Sequence, residues 1–152
     1  MAQEVAAAAV ELGLDVAAID IDWLGWASSS SATVDELIDL NLRAVAANYA
    51  AAGIGRIVLS RAVVSAAALQ TIMGALAGWD LTIVRLSARR ETQERRLRAR
   101  DSGDELATHL GKIDDMNRRV EAATPDAPVV ENEDRAVREV AIEVMRVAGW
   151  VS

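Results

Sequence analysis

Apolar runs at Val16 to Ile21, Ile57 to Leu59 and Leu81 to Leu86 are separated by helix-length amphipathic stretches, and a last short run, Val129 and Val130, precedes a final helical stripe. Strands that alternate with helices are joined by crossovers, which are right-handed, so the pattern predicts an α/β domain: a parallel sheet with helices on both faces. No linker and no internal repeat interrupts it, and 152 residues form one domain over 1–152. With no Phe, one Tyr and 52% hydrophobic residues, the core must be built from Ala, Val, Leu and Ile.

The helices announce themselves by their ends. Ala2 to Leu12 reads as a helix by alanine propensity and stops at Gly13. Thr33 followed by Glu36 is a capping-box signature, and Val34, Leu37, Ile38, Val45, Tyr49 and Ala52 mark a face that ends at Gly53. Ser65 caps a helix in which Leu69, Ile72, Met73 and Leu76 share a face. The arginine-rich stretch after Leu86 is helical without an apolar face and is expected to project from the body. Leu106, Leu110, Ile113, Met116 or Asn117, and Val120 keep helical spacing despite Gly111, until Pro125 and Pro128 break the chain. Asp134 is expected to cap the last helix, with Val137, Val140, Ala141, Val144 and Ala148 as its buried stripe. The serine run 28–31 reads as a flexible loop after the first strand.

Several function classes fall away. The chain has no Cys and a single histidine, His109, which removes disulfides, thiolate metal sites and redox chemistry, and no metal site is expected. The apolar stretch Ala2 to Leu12 carries Glu4 and Glu11 and no preceding basic residue, unlike a signal peptide. No apolar run approaches the roughly 18 residues of a membrane span, so a soluble, cytoplasmic protein without a membrane partner is expected. A net charge of −7 argues against nucleic acid as a partner. Within that acidic chain, Arg89, Arg90, Arg95, Arg96, Arg98 and Arg100 form one basic segment, opposed only by Glu91 and Glu94.

Candidate chemistry gathers at two places. Asp20 and Asp22 lie at the carboxyl end of the first strand, the edge at which open α/β sheets bind ligands. Two carboxylates there can orient a substrate hydroxyl, accept its proton or hold Mg²⁺ through water; alternatively one caps the next segment and the other is solvated. Trp23 and Trp26 follow and offer a flat wall to a base or ring, or else a cover for the core. In the basic segment, Glu91 with Arg95 and Glu94 with Arg98 are spaced for i,i+4 pairs, whereas Arg96 and Arg100 share a face with no such partner. Guanidinium forks of that kind suit phosphate oxygens.

Together these residues resemble the small P-loop kinases, the adenylylsulfate- and nucleoside-kinase-like group often placed with AAA-type ATPases. The likeness lies in the helix starting Ala2-Gln3-Glu4-Val5, in Asp20-Ile21-Asp22 with Trp23, in the lid-like run from Arg95 to Gly103-Asp104-Glu105-Leu106, and in Val129-Val130-Glu131-Asn132 before a helix. The resemblance implies ATP and Mg²⁺ as cofactors and a small hydroxyl-bearing metabolite or nucleotide as partner. It implies substrate binding by Asp20, Asp22, Trp23 and Trp26, with Asp22 in the catalytic role. It places Arg95, Arg96, Arg98 and Arg100 on the polyphosphate and Asn132 at the adenine.

The departure is as specific as the likeness. A phosphate loop needs Gly-x-x-x-x-Gly-Lys-Ser/Thr between a strand and a helix, and no such run occurs; the sole lysine, Lys112, sits within a helical pattern. Without those groups the electrostatic stabilisation that dominates phosphoryl transfer is missing, so the chain as it stands is not expected to transfer phosphate. Met1 falls where such a loop would just have ended, as if the start lay inside a longer reading frame; true loss of the loop is the rival account. In related kinases the absent first strand is central, between the strand at Ile57 and that at Leu81. Its absence would leave two apolar edges open to self-association. The alternative function is a non-catalytic binding or assembly module that keeps the fold. A phosphatase of haloacid-dehalogenase type, with Asp20 and Asp22 followed by Lys112 and Asp114-Asp115, fails on context: Leu24 stands where that motif wants Thr or Val, and the later residues lie in a helical pattern.

Overall fold

Thr33 Oγ1 accepts from the Glu36 N–H at 3.2 Å while the Glu36 carboxylate accepts from the Thr33 N–H at 2.7 Å, so the capping box forms as the sequence predicts. It opens α3 (Val34–Ala51) in the computed structural model, which describes residues 1–28 and 30–152. The helix ends where Gly53 takes φ +81° and the Ile54 N–H reaches back to the Tyr49 carbonyl, a turn that residues with a Cβ enter at a cost. Of the predicted face, Ile38 is buried together with Leu42 and Ala46, whereas Val34 is exposed. The serine run 28–31 includes Ser29, which lies outside the described residues.

The chain order is α1 (Ala2–Glu11), β1 (Ala17–Asp20), α2 (Ile21–Leu24), α3, β2 (Ile57–Ser60), α4 (Ala66–Ala75), β3 (Arg85–Ser87), α5 (Arg90–Arg100), α6 (Gly103–Ala123), β4 (Val129–Glu131) and α7 (Val137–Val147). The fold is mixed α/β with parallel pairing, but the continuous sheet expected from the sequence is divided in two. Strand β1 pairs with β2, Ala17 opposite Ile57 through Asp20 opposite Ser60, and β3 pairs with β4, Arg85 opposite Val129 through Ser87 opposite Glu131.

Around the β1–β2 ribbon the alternation of strand side chains sorts two cores. Ile19, Ile57 and Leu59 pack on one face with Ile38, Leu42, Ala46, Ile72 and Leu76 from α3 and α4. Val16 and Val58 pack on the other with Val5, Ala8 and Ala9 of α1 and Ala141 and Met145 of α7. Small alanines let α1 and α7 approach closely, and full burial of Leu42 or Ile38 contributes roughly 1.5–3 kcal/mol each. Helices therefore cover both faces of this ribbon, as predicted.

Three expectations are corrected. The strand expected over 81–86 is only Arg85–Ser87, because residues 81–84, although apolar apart from Thr82, have no strand beside them and make no main-chain hydrogen bond to another segment among the described residues. Asp134 does not cap α7: it takes φ +42°, the N-cap is Ala136, and the Asp134 carboxylate is held instead by Arg89 and Arg95. The arginine-rich helix α5 does not project freely. Thr92 is buried, and its hydroxyl donates to the Glu133 carboxylate beyond β4.

Candidate functional site

Asp20 closes β1, and the chain turns at once into the four-residue helix α2, so Asp22 lies on a helical turn rather than along the strand. The two carboxylates therefore part company. Asp20 Oδ1 accepts from the Asp22 N–H at 3.2 Å and caps α2, which is the structural role weighed for one of the pair. Asp22 reaches across to the end of β2, where Arg61 Nε lies 3.5 Å from its Oδ1. The same guanidinium meets Asp35 of α3 through Nη2 at 3.2 Å. Arg61 is largely buried and Asp22 exposed, so the cation is fixed while one carboxylate facing solvent stays free to accept.

Gly25 is the C-cap of α2 and has no room for a side chain: a Cβ there would meet Val34 Cγ1 at 2.8 Å and Ile38 Cγ1 at 2.9 Å. Trp23 is 70% and Trp26 80% exposed, so they do not cover the core. Their ring centroids are 5.7 Å apart with planes tilted by 42°. An exposed aromatic pair beside an ion-pair network is the arrangement a flat ligand would use.

The arginines are distributed differently from the expectation. Arg95 bonds Asp134 at 3.1 Å and not Glu91; Arg98 bonds Glu94 at 3.4 Å, as its spacing predicts. Arg96 and Arg100, which share a face as expected, line a hollow of about 340 Å³ between α5 and α6 together with His109 and Lys112. Neither is without a partner: Arg96 Nη2 donates to the Asn132 carbonyl at 2.9 Å, and Arg100 pairs with Asp101 through Nε at 2.6 Å. Lys112 lies within α6, and so do Asp114 and Asp115.

Sequence reasoning missed three groups. The buried Glu133 accepts from the Thr92 hydroxyl and, at 2.7 Å, from the Arg89 N–H, and these bonds, the Thr92 bond foremost, hold its carboxyl below the usual range. It sits at the N-terminus of α5, where negative charge is favoured. Asp101 accepts from Arg100 and contacts His109 Nδ1 at 2.6 Å, and with the Arg100 bond as the larger cause its carboxyl is pulled down to about 2. Asp101, Glu105 and His109 bring one ligand atom each within 4.8 Å of one another, a geometry that can hold a cation. Their four-residue spacing was the available signal, and the lone histidine hid it. Arg61 gave no local signal, because its partners come from other elements.

Between the two ribbons lies a groove of about 860 Å³ lined by β2 and Arg61 on one side and by residues 81–88 on the other. Asp20 and Asp22 stand at its rim. Fold and site together define an α/β protein of short parallel strands with an ion-pair site at the carboxyl ends of β1 and β2. No protein-family model, curated protein or solved structure matches the chain. Among the described residues no helix is long and apolar enough to cross a membrane.

Proposed function

We propose that this chain is the body of a small P-loop-kinase-like domain that holds a ring-containing, hydroxyl-bearing metabolite at the carboxyl ends of β1 and β2 and, as it stands, does not phosphorylate it. The observation that carries the reading is Arg61, fixed between Asp22 and Asp35 with the Asp22 carboxylate left open to solvent. A hydroxyl donating to Asp22 would lie beside the Trp23–Trp26 pair, against which a base or sugar ring stacks. Asp22 is the group to bind and, in an intact relative, deprotonate the acceptor; Asp20 supports it by capping the helix that carries it. The order of strands, with β1 and β2 in one ribbon, β3 and β4 in another and a groove between, agrees with a kinase sheet from which the central strand is missing.

The residues present do not fit an ATP triphosphate. Arg95, Arg96, Arg98 and Arg100 are each engaged by Asp134, Asn132, Glu94 and Asp101. The phosphate-gripping amides and lysine have no counterpart in the sequence. No step through ATP or Mg²⁺ is assigned to this chain.

Calorimetric titration separates the components. ATP·Mg²⁺ should give no heat at millimolar concentration, while a panel of ribonucleosides should contain a binder that quenches tryptophan fluorescence and is weakened at least tenfold by Asp22→Asn. Phosphoryl transfer at an ordinary enzymatic rate would overturn the reading of inactivity. If no nucleoside or sugar binds, the acceptor site is wrong and the assembly-module reading, which the open groove favours, takes its place.

A further inference from the structure

Asp101, Glu105 and His109 recur at four-residue intervals, the first just ahead of α6 and the other two in its opening turns, so one face of that helix start carries two carboxylates and an imidazole. Their ligand atoms lie within 4.8 Å of one another. Two atoms bound to one metal at about 2.0–2.2 Å each stand at most about 4.4 Å apart, so small side-chain rotations close the set on a cation.

Each of the three is prepared differently. The Asp101 side chain is only 5% exposed, and Arg100 holds both its oxygens, Nε at 2.6 Å from Oδ1 and Nη2 at 2.9 Å from Oδ2. A carboxylate offers about four lone-pair sites, so the arginine leaves room for a metal, and an outer partner of this kind is what orients a ligating carboxylate. His109 Nδ1 stands 2.6 Å from Asp101 Oδ2. A neutral imidazole that ligates through Nδ1 keeps its proton on Nε2, so that contact gives way to the cation. Glu105 is exposed and makes no hydrogen bond or ion pair among the described residues. One guanidinium thus faces two carboxylates, an excess of negative charge that a divalent cation offsets.

The start of α6 is otherwise weakly held. Ser102, its N-cap, makes no side-chain capping bond, and Gly103 enters the helix at φ +56°. The positive end of the helix dipole opposes a cation there, and the first-turn carboxylates of Asp104 and Glu105 offset it.

We propose that Asp101, Glu105 and His109 bind one divalent transition-metal cation of the zinc class, which fastens the opening turns of α6 to the end of α5. The imidazole favours such a cation over Mg²⁺ and Ca²⁺, which prefer oxygen ligands, and water completes the coordination. This inference rests on the α5–α6 junction alone and does not depend on the metabolite site at Asp22.

The test uses the full chain, free of any affinity tag and stripped of metal by a chelator. Calorimetric titration with zinc chloride should saturate at one equivalent, and Glu105→Gln and His109→Ala should each weaken binding at least tenfold. Glu105 makes no bond in the metal-free chain, so Glu105→Gln should keep the native circular dichroism and urea midpoint; if His109→Ala disturbs the fold, Glu105→Gln decides. Zinc should slow amide exchange at least tenfold across residues 103–109. Mn²⁺ should broaden amide resonances of residues 100–110 and leave those of residues 20–26 sharp, and a hundredfold excess of Mg²⁺ should not displace zinc. The proposal is overturned if zinc does not bind, if Glu105→Gln leaves its affinity unchanged, if exchange across 103–109 is not slowed, or if the broadening centres on Asp20 and Asp22. Displacement of zinc by equimolar Mg²⁺ overturns it as well.

Discussion

Arg96 Nη2 donates to the main-chain oxygen of Asn132 at 2.9 Å, so the residue expected at a polyphosphate and the one expected at an adenine close on each other. The bond crosses from α5 to the turn after β4 and, with Arg95 on Asp134, ties the basic helix down. That bond engages only Nη2 of the guanidinium and holds the side chain against the turn after β4.

Arg96→Ala should therefore act on stability and local order rather than on ligand binding. The expected loss is about 1 kcal/mol, one hydrogen bond's net worth. Urea unfolding measures it, and faster amide exchange should be confined to α5 and residues 131–134. If Arg96→Ala instead abolishes binding of a nucleotide, the pairing seen here is a resting state of a phosphate clamp.

Gly25 is a second place where packing dictates the residue. Its missing Cβ leaves room for Val34 Cγ1 and Ile38 Cγ1, and both neighbours are branched, so neither can swing aside as the end of a long chain would. Gly25→Ala should destabilise by about 1–3 kcal/mol through overpacking. Ile38→Val in the same chain should restore only a small part of that loss, because it removes Cδ1, 3.1 Å from the new methyl, and leaves Cγ1 in place. Thermal and urea unfolding of the single and double variants checks the coupling.

What the sequence made legible was local. The capping box at Thr33 and Glu36 and the cap at Ser65, whose hydroxyl accepts from the Ala68 N–H at 3.1 Å, involve residues three apart and form as read. The carboxylates of Asp20 and Asp22 were placed at the correct edge, but the strand expected to run to Ile21 ends at Asp20, and the chain turns helical at Ile21. The run 81–86 has strand composition throughout; only its second half finds a partner, and composition cannot report whether a neighbouring strand exists. Arg61, Glu133 and Thr92 were invisible because each acts through a partner brought close by the folding of other elements. The partners of Arg95 and Arg96 were misjudged for the same reason, since Asp134 and Asn132 come from beyond β4, whereas Arg98 pairs with Glu94 as its spacing predicts.

Acid should loosen the junction of α5 and α6 first. The carboxyl of Asp101 is depressed from 3.8 to about 2 in the folded chain, so its contribution is fully present above the unfolded value and is lost as pH falls through the folded one. Between about pH 4 and pH 2, amide exchange in residues 100–106 should quicken, with Asp101→Asn abolishing that pH dependence. Glu133, whose carboxyl is also lowered, adds a loss of the same sign at the start of α5. Circular dichroism and exchange followed from pH 5 downward separate the two sites by the residues affected. A junction indifferent to pH in this window would mean that Asp101 is not held by Arg100 and His109 in solution.

The exposed tryptophan pair gives the cleanest division between folding and binding. Trp23 and Trp26 are largely solvent-facing, so removing them should cost stability little, within about 0.5 kcal/mol, the usual range for surface substitutions. If they form the wall of a ligand site beside Asp22, Trp23→Ala and Trp26→Ala should each weaken binding of a nucleoside about tenfold while leaving the urea midpoint in place. Trp79 and Trp150 pack against the cores and report folding, so acrylamide quenching of the remaining fluorescence distinguishes the two pairs. A ligand that protects Trp23 and Trp26 from acrylamide places the site at the ends of β1 and β2. Unchanged quenching on binding would move it elsewhere, to the hollow lined by Arg96, Arg100, His109 and Lys112.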